Sequence, residues 1–339
     1  MRVFRSSFMR ALRHRWPRIK RMLPCAVLVA AAVLLYYFGR SVDWAQVWRA
    51  MRAIPPAGVA LAAALSLAGY LAYGGMDLLA RRYTGHGLPW PATLGVAMLS
   101  YALNQNLGVL LGGLGARLRL YARLGARKSV ATRVALFSAA SNWIGYGWLA
   151  GALFLAGAVP APRGWEIGAG ALRLLGAGLL AASLAYVLVC AFSRKRSWTW
   201  MGQHAALPGW RMALAQSAVA VLSWSAMGAV AYVLLQGRAP YAAVLGILLC
   251  ASFAAVITRV PGGLGTTEAI LVTGLSSRLP APEVLGAALA YRAVYALAPL
   301  CLALAAFALI ELRARSRPAR APGATRDRTV PAPPPRTRP

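Results

Sequence analysis

Along this chain apolar residues gather in long blocks instead of recurring every second or every third to fourth position. Blocks at about Pro24–Gly39, Ala57–Leu79, Val130–Val159, Gly168–Phe192, Met212–Leu235 and Val284–Ile310 approach or exceed the roughly 20 residues with which an α-helix crosses about 30 Å of hydrocarbon. A helix that is apolar on every side has no face to offer to water, so these blocks predict membrane spans. One segment differs. In "SVDWAQVWRAMRAIPPAG" the residues Val42, Ala45, Val47, Trp48 and Met51 recur near helical spacing, which predicts a short amphipathic helix lying on the membrane surface.

Two more apolar stretches are interrupted. From Leu88 to Leu103 the chain is apolar; then come Asn104, Gln105 and Asn106, then Gly112, Gly113 and Gly115, then six basic residues between Arg117 and Arg133. A full crossing would carry that basic run to the outer side, against the positive-inside rule, so a hairpin that enters from the cytoplasm and turns back fits better. Further on, "RVPGGLGTTEAI", Arg259–Ile270, sets Pro261, Gly262, Gly263, Gly265, two threonines and Glu268 inside an apolar region, and Ala242–Leu275 reads as a second hairpin entering from the outer side. The expected fold is an all-α polytopic bundle with about six full spans and two opposed re-entrant hairpins, about eight apolar segments in all. Gly112-Gly113-Leu114-Gly115 and Gly262-Gly263-Leu264-Gly265 repeat the same four residues 150 positions apart, one run in each hairpin, which suggests an inverted repeat.

Composition agrees. With 59% hydrophobic residues, 13% charged and a mean hydropathy of +0.58, the chain is too apolar for a soluble domain of its length. The net charge of +30 would suit a nucleic-acid binder, but the basic residues lie at the ends and between the apolar blocks, where they act as topology markers, so no nucleic-acid partner is expected. Residues 1–23 carry eight Arg or Lys and no acid, which places them in the cytoplasm, ahead of a membrane domain over 24–310. Residues 311–339, rich in Arg and Pro, read as a disordered cytoplasmic tail. Arg40, Arg49 and Arg52 fall on the expected outer side and run against that sign. Cys25, Cys190, Cys250 and Cys301 are widely spaced in apolar stretches, and His14, His86 and His204 are far apart, so neither a disulfide framework, a metal site nor a cofactor is expected.

Unpaired backbone groups cost several kcal/mol each in lipid, so a proline-glycine break at membrane depth marks a protein-lined or hydrated cavity. Glu268 stands just after that break. It either complements the dipole of the helix that follows or handles a proton or headgroup. Arg292, preceded by Tyr291, interrupts the last span and is read either as a snorkelling side chain or as a buried partner of Glu268 or of a lipid phosphate. Arg117 and Arg119, with Tyr121, follow the first hairpin; they are ordinary positive-inside residues or a phosphate-gathering cluster at the cytoplasmic mouth. Asp77, next to Arg81 and Arg82, reads as a boundary residue in an ion pair. Asn104 and Asn106 stabilise the turn of the first hairpin. No nucleotide-binding or hydrolase motif occurs where it could work, so an enzyme is not expected.

The stretches "VDWAQVW", "YGGMDLLARRYTGH", "GGLGARLRLYARLG", "SNWIGYGWLAGALFLAGAV", "VPGGLGTTEAILVTGL" and "ALAYRAVYALAPLCLAL" resemble the YbhN-type bacterial inner-membrane proteins, within the lysylphosphatidylglycerol synthase transmembrane-region family. The resemblance covers about Val42 to Ile310. It implies a multi-pass inner-membrane protein whose PGG-x-G, E-A segment and Tyr-Arg pair fall on Pro261–Ala269 and Tyr291-Arg292. It also implies a flippase-like region that in two-domain members serves a lipid-synthesising domain, absent here because only 29 residues follow Ile310. The expected role is therefore translocation of a phospholipid or other polar-headgroup lipid, with a lipid-synthesising enzyme as a candidate partner. A proton-coupled carrier of a small solute, or a non-transporting partner of a lipid enzyme, are the alternatives.

Overall fold

The computed structural model describes residues 43–159, 168–194, 197–200, 203–258 and 260–315. The first expected span, the basic N-terminal segment and the tail beyond Arg315 lie outside them. Among the described residues the fold is helical apart from one small hairpin. Helix α1 (Trp44–Arg52) opens on Asp43, whose carboxylate accepts from the Gln46 amide at 3.1 Å. Helix α2 (Pro56–Thr84) begins on a proline, whose missing N–H costs nothing in a first turn, and ends at Gly85 with φ of 68°. Helices α3 (Trp90–Gly108) and α4 (Ala116–Arg123) flank a π-helical stretch, Val109–Gly115. Then follow α5 (Lys128–Leu155), α6 (Ala169–Phe192), α7 (Trp210–Leu234), α8 (Tyr241–Thr258), a 3₁₀ turn at Pro261–Gly263, α9 (Thr266–Leu275) and α10 (Ala281–Tyr291). A second π-helical stretch, Arg292–Leu297, joins α10 to α11 (Ala298–Arg315).

Five stretches are long and apolar enough to cross a membrane among the described residues: Pro56–Thr84, Ala169–Phe192, Trp210–Leu234, Tyr241–Thr258 and Ala281–Ala306. Helix α5 is as long, at 28 residues, but carries Ser138, Ser141 and Asn142 along with its glycines. Its polar groups are placed inward or paired: Ser141 Oγ donates to Phe137 O at 2.8 Å and accepts from Gln216 Nε2 at 2.8 Å. Small residues let these helices close on one another. A methyl group at Gly145 would lie 2.3 Å from Ala220 Cβ on α7, and one at Gly176 would lie 2.6 Å from the Leu155 amide nitrogen, so α5 packs against both neighbours at backbone distance.

Both broken segments return to the end from which they start. Arg238, just before α8, pairs with Glu283, at the start of α10 and just past α9. The ring of His86, before α3, lies 5.8 Å from the ring of Tyr121 in α4. Helix α1 is amphipathic: Val47 is 2% exposed and docks on α10, where a Cβ at Gly286 would stand 3.2 Å from Val47 O, while Trp44 and Trp48 face outward. The basic, tryptophan-rich loop after α6 forms an antiparallel hairpin, β1 (Ser197–Trp200) with β2 (Gln203–Ala206), tied to α2 by Tyr83 Oη donating to Ala206 O at 2.5 Å.

Candidate functional site

The α8–α9 break is built from glycines that hold conformations other residues resist. Gly262, Gly263 and Gly265 have φ of 63°, 58° and 77°. Helix α9 starts immediately after them, and its third residue, Glu268, turns back to accept from the Gly265 amide at 2.9 Å, so the carboxylate closes the open end of the helix. The other carboxylate oxygen accepts from Arg292 Nε at 2.7 Å. That guanidinium also donates through Nη1 to Gly262 O at 2.9 Å and through Nη2 to Gly263 O at 3.3 Å. One buried arginine therefore serves both the acid and the bare carbonyls of the break. The side chains are 13% and 6% exposed, a depth at which neither charge could stand alone.

The two breaks meet. A methyl group at Gly262 would lie 3.2 Å from Asn106 O and 3.4 Å from Gln105 O, so the tips of the two hairpins touch at backbone distance. Asn106 Nδ2 donates to Ala102 O at 2.8 Å and to Ala296 O at 3.0 Å. Ala296 belongs to the second π-helical stretch, whose widened turn leaves carbonyls without ordinary helical partners. Side chains supply them: Tyr70 Oη donates to Tyr295 O at 3.0 Å and Ser66 Oγ to Val294 O at 3.5 Å. The first break is made differently. Gly108, with φ of 81°, reverses the chain, and Gly112 packs so closely that a Cβ there would fall 2.1 Å from Leu103 O. Gly113 lies against Asn104, whose Oδ1 is buried without a hydrogen-bond partner among the described residues, while Gly115 ends the π-helical stretch with right-handed helical backbone angles.

A second buried charge pair lies toward the far end of α2. Asp77, 0% exposed, takes a 3.2 Å contact from Arg117 Nη2. It also accepts from Ser138 Oγ at 2.5 Å and Tyr121 Oη at 3.2 Å. The expected ion pair of Asp77 is formed, but in the interior and not at a boundary, and with Arg117 and not its sequence neighbours: Arg81 Nε donates to Leu88 O at 2.7 Å, and Arg82 is exposed. Arg117 is buried, with its Cζ 5.9 Å from the Tyr73 ring centroid, so its charge is directed into the bundle; Arg119 is exposed on the other face of α4. His86 sits beside this cluster in the α2–α3 connection, and burial, then the Arg81 guanidinium, hold its imidazole below the ordinary range against the opposing pull of Asp77.

Tyrosines bridge the two charge pairs. Tyr73 stacks on Tyr101 at 3.7 Å, Tyr101 Oη lies 3.1 Å from Tyr295 Oη, and Tyr295 stacks on Tyr291 at 5.3 Å, next in sequence to Arg292. The structure thus gathers Gly262, Gly263, Gly265, Glu268, Tyr291, Arg292 and Asn106 at one place, and Arg117 with Tyr121 at another. Tyr70, Tyr73, Tyr101, Ser138 and Gly108 belong to this polar seam although the sequence reading passes over them; their one sequence signal is that a hydroxyl or glycine interrupts an otherwise apolar helix face. No cluster of His, Cys, Asp or Glu suited to a metal ion occurs among the described residues.

Apolar helices of spanning length, packed through small residues around buried charge pairs, define a multi-pass helical membrane protein. The sequence profile of the lysylphosphatidylglycerol synthase transmembrane region matches residues 23–303, and the chain belongs to that family. It is 39% identical over 302 residues to "Inner membrane protein YbhN" of Escherichia coli (strain K12), covering 89% of this chain and 95% of that protein. It is 30% identical over 316 residues to the protein slr0712 of Synechocystis sp., covering 89% of this chain and 97% of the other.

Proposed function

We propose that this protein moves a lipid with a polar headgroup between the leaflets of a bacterial inner membrane, acting as a transporter and not as an enzyme. The observation that carries this reading is the meeting of two helix breaks at the buried Glu268–Arg292 pair within an apolar bundle. Glycine-rich backbone, amides at a helix start and a charge pair of both signs at that depth offer a headgroup a substitute for water, while acyl chains stay in lipid. The ion pair holds the break shut in this state; a zwitterionic or anionic headgroup that competes for Arg292 would open it. In this reading Arg119 and the basic α4–α5 connection face the cytoplasm and gather lipid supplied by a separate lipid-synthesising enzyme.

The test is translocation in liposomes by the purified protein, following headgroup-labelled phospholipids as they lose protection from an added impermeant quencher. The wild type is expected to remove that protection, and Glu268→Gln to slow it by at least about tenfold if the pair supplies even one charged hydrogen bond at the barrier. Folded wild-type protein that moves no phospholipid class would overturn the reading and favour a non-transporting partner or a soluble solute.

A further inference from the structure

At the end of the molecule where α2 begins, α1, the α7–α8 turn and the start of α10 line an open cavity of about 620 Å³. That volume lies within the roughly 300–1,000 Å³ of ordinary small-molecule sites. The 29 residues of α2, at about 1.5 Å each, separate this end from Gly85 and the basic α4–α5 connection by about 40 Å. The cavity is therefore distinct from the Asp77–Arg117 cluster.

Its walls are amphipathic. Ile54, Leu234 and Leu279 supply an apolar floor; Arg49, Arg238 and Glu283 stand at the rim. Arg238 and Glu283 pair with each other, at 51% and 37% side-chain exposure, so both remain reachable. Arg49 differs: its Nε donates to Ala45 O at 3.3 Å, and its terminal nitrogens have no partner among the described residues. The rim thus offers one guanidinium with donors to spare and, across the opening, a carboxylate. From the floor a narrow apolar seam, which shares Leu235 and Ala287 with the cavity, runs inward to Tyr291, the residue before Arg292. Apolar surface thus leads from the cavity toward Tyr291.

We propose that this cavity is a binding site for a phospholipid headgroup bearing both phosphate and amine. Arg49 takes the phosphate through its terminal nitrogens, because a guanidinium fork matches phosphate oxygens. Glu283 takes the ammonium, exchanging it for Arg238, and the glycerol with the first acyl carbons rests on Ile54 and Leu234. The site shares its cargo class with the proposed function, but it binds lipid at one end of the molecule whether or not lipid crosses.

The experiment is calorimetric titration of the full-length protein in detergent with dihexanoyl phosphatidylethanolamine, dihexanoyl phosphatidylglycerol and inorganic phosphate, each below any micelle-forming concentration. The wild type is expected to bind phosphatidylethanolamine saturably and tighter than inorganic phosphate. Arg49→Gln should weaken both lipids by at least about tenfold, since a charged hydrogen bond is lost. Glu283→Gln should weaken phosphatidylethanolamine but leave phosphatidylglycerol as tight or tighter, because Arg238 is released to it. Ala53→Trp, a change at an exposed wall residue that alters no charge, should block both lipids by filling the space. Equal lipid binding in wild type and all three variants overturns the proposal, as does inorganic phosphate binding as tightly as the lipid. Binding is read without movement between leaflets, so a failed translocation assay leaves this result standing, and lost binding with intact translocation counts against the cavity alone.

Discussion

Glu268 does two jobs with two oxygens. One closes the start of α9 through the Gly265 amide, and the other holds Arg292, which in turn covers Gly262 O and Gly263 O. Removing either charge strands the other in a site with little water. Arg292→Gln or Glu268→Gln alone is expected to cost about 3–5 kcal/mol, and the double variant less than the sum of the two, as measured by unfolding in detergent. Equal and additive losses would show that the two side chains do not act on each other. Both partners were readable from the sequence, because a charge inside an apolar block has few explanations. The Asp77–Arg117 pair was not. Forty residues separate its members, and Arg117 stands in a basic run that the positive-inside rule explains just as well.

At the scale of elements, the two hairpins repeat four residues yet break by different means. In the second, three glycines in the left-handed region make the turn; in the first, Gly108 reverses the chain and a π-helical stretch follows. The shared glycines are used at a turn in one hairpin and for close packing in the other, as at Gly112 against Leu103 O. What joins the hairpins is Gly262 packed against Asn106 O and Gln105 O, while the Asn106 side chain ties the first hairpin to the π-helical stretch between α10 and α11. Asn106→Leu removes donors to Ala102 O and Ala296 O, and is expected to lower stability by about 1–3 kcal/mol, with faster hydrogen exchange around Arg292–Leu297. Exchange unchanged in that stretch would show that it stands without the asparagine. Neither π-helical stretch could be read from sequence, because the extra residue per turn is fixed by which carbonyls find side-chain donors across the bundle.

For the whole molecule, both hairpins return to the ends from which they start, so the α4–α5 connection and the α1–α10 end lie at opposite poles. In a cysteine-free background, Arg119→Cys is expected to react with an impermeant thiol reagent only from the cytoplasmic side of oriented vesicles, and Gln46→Cys only from the other. Labelling of both from one side would refute the opposed-hairpin arrangement. The apolar blocks by themselves determined that the chain is a helical membrane bundle and where its helices are interrupted, because hydrocarbon thickness sets block length and unpaired backbone is too costly to hide. The motifs determined the family, and the misplaced Glu268 and Arg292 marked one site. Only the tertiary structure decided that the two breaks touch, that Asp77 reaches Arg117 and Ser138, and that Val47 of α1 docks on α10. Those contacts join residues tens to hundreds of positions apart, and within a uniformly apolar helix no periodicity says which face turns to which neighbour.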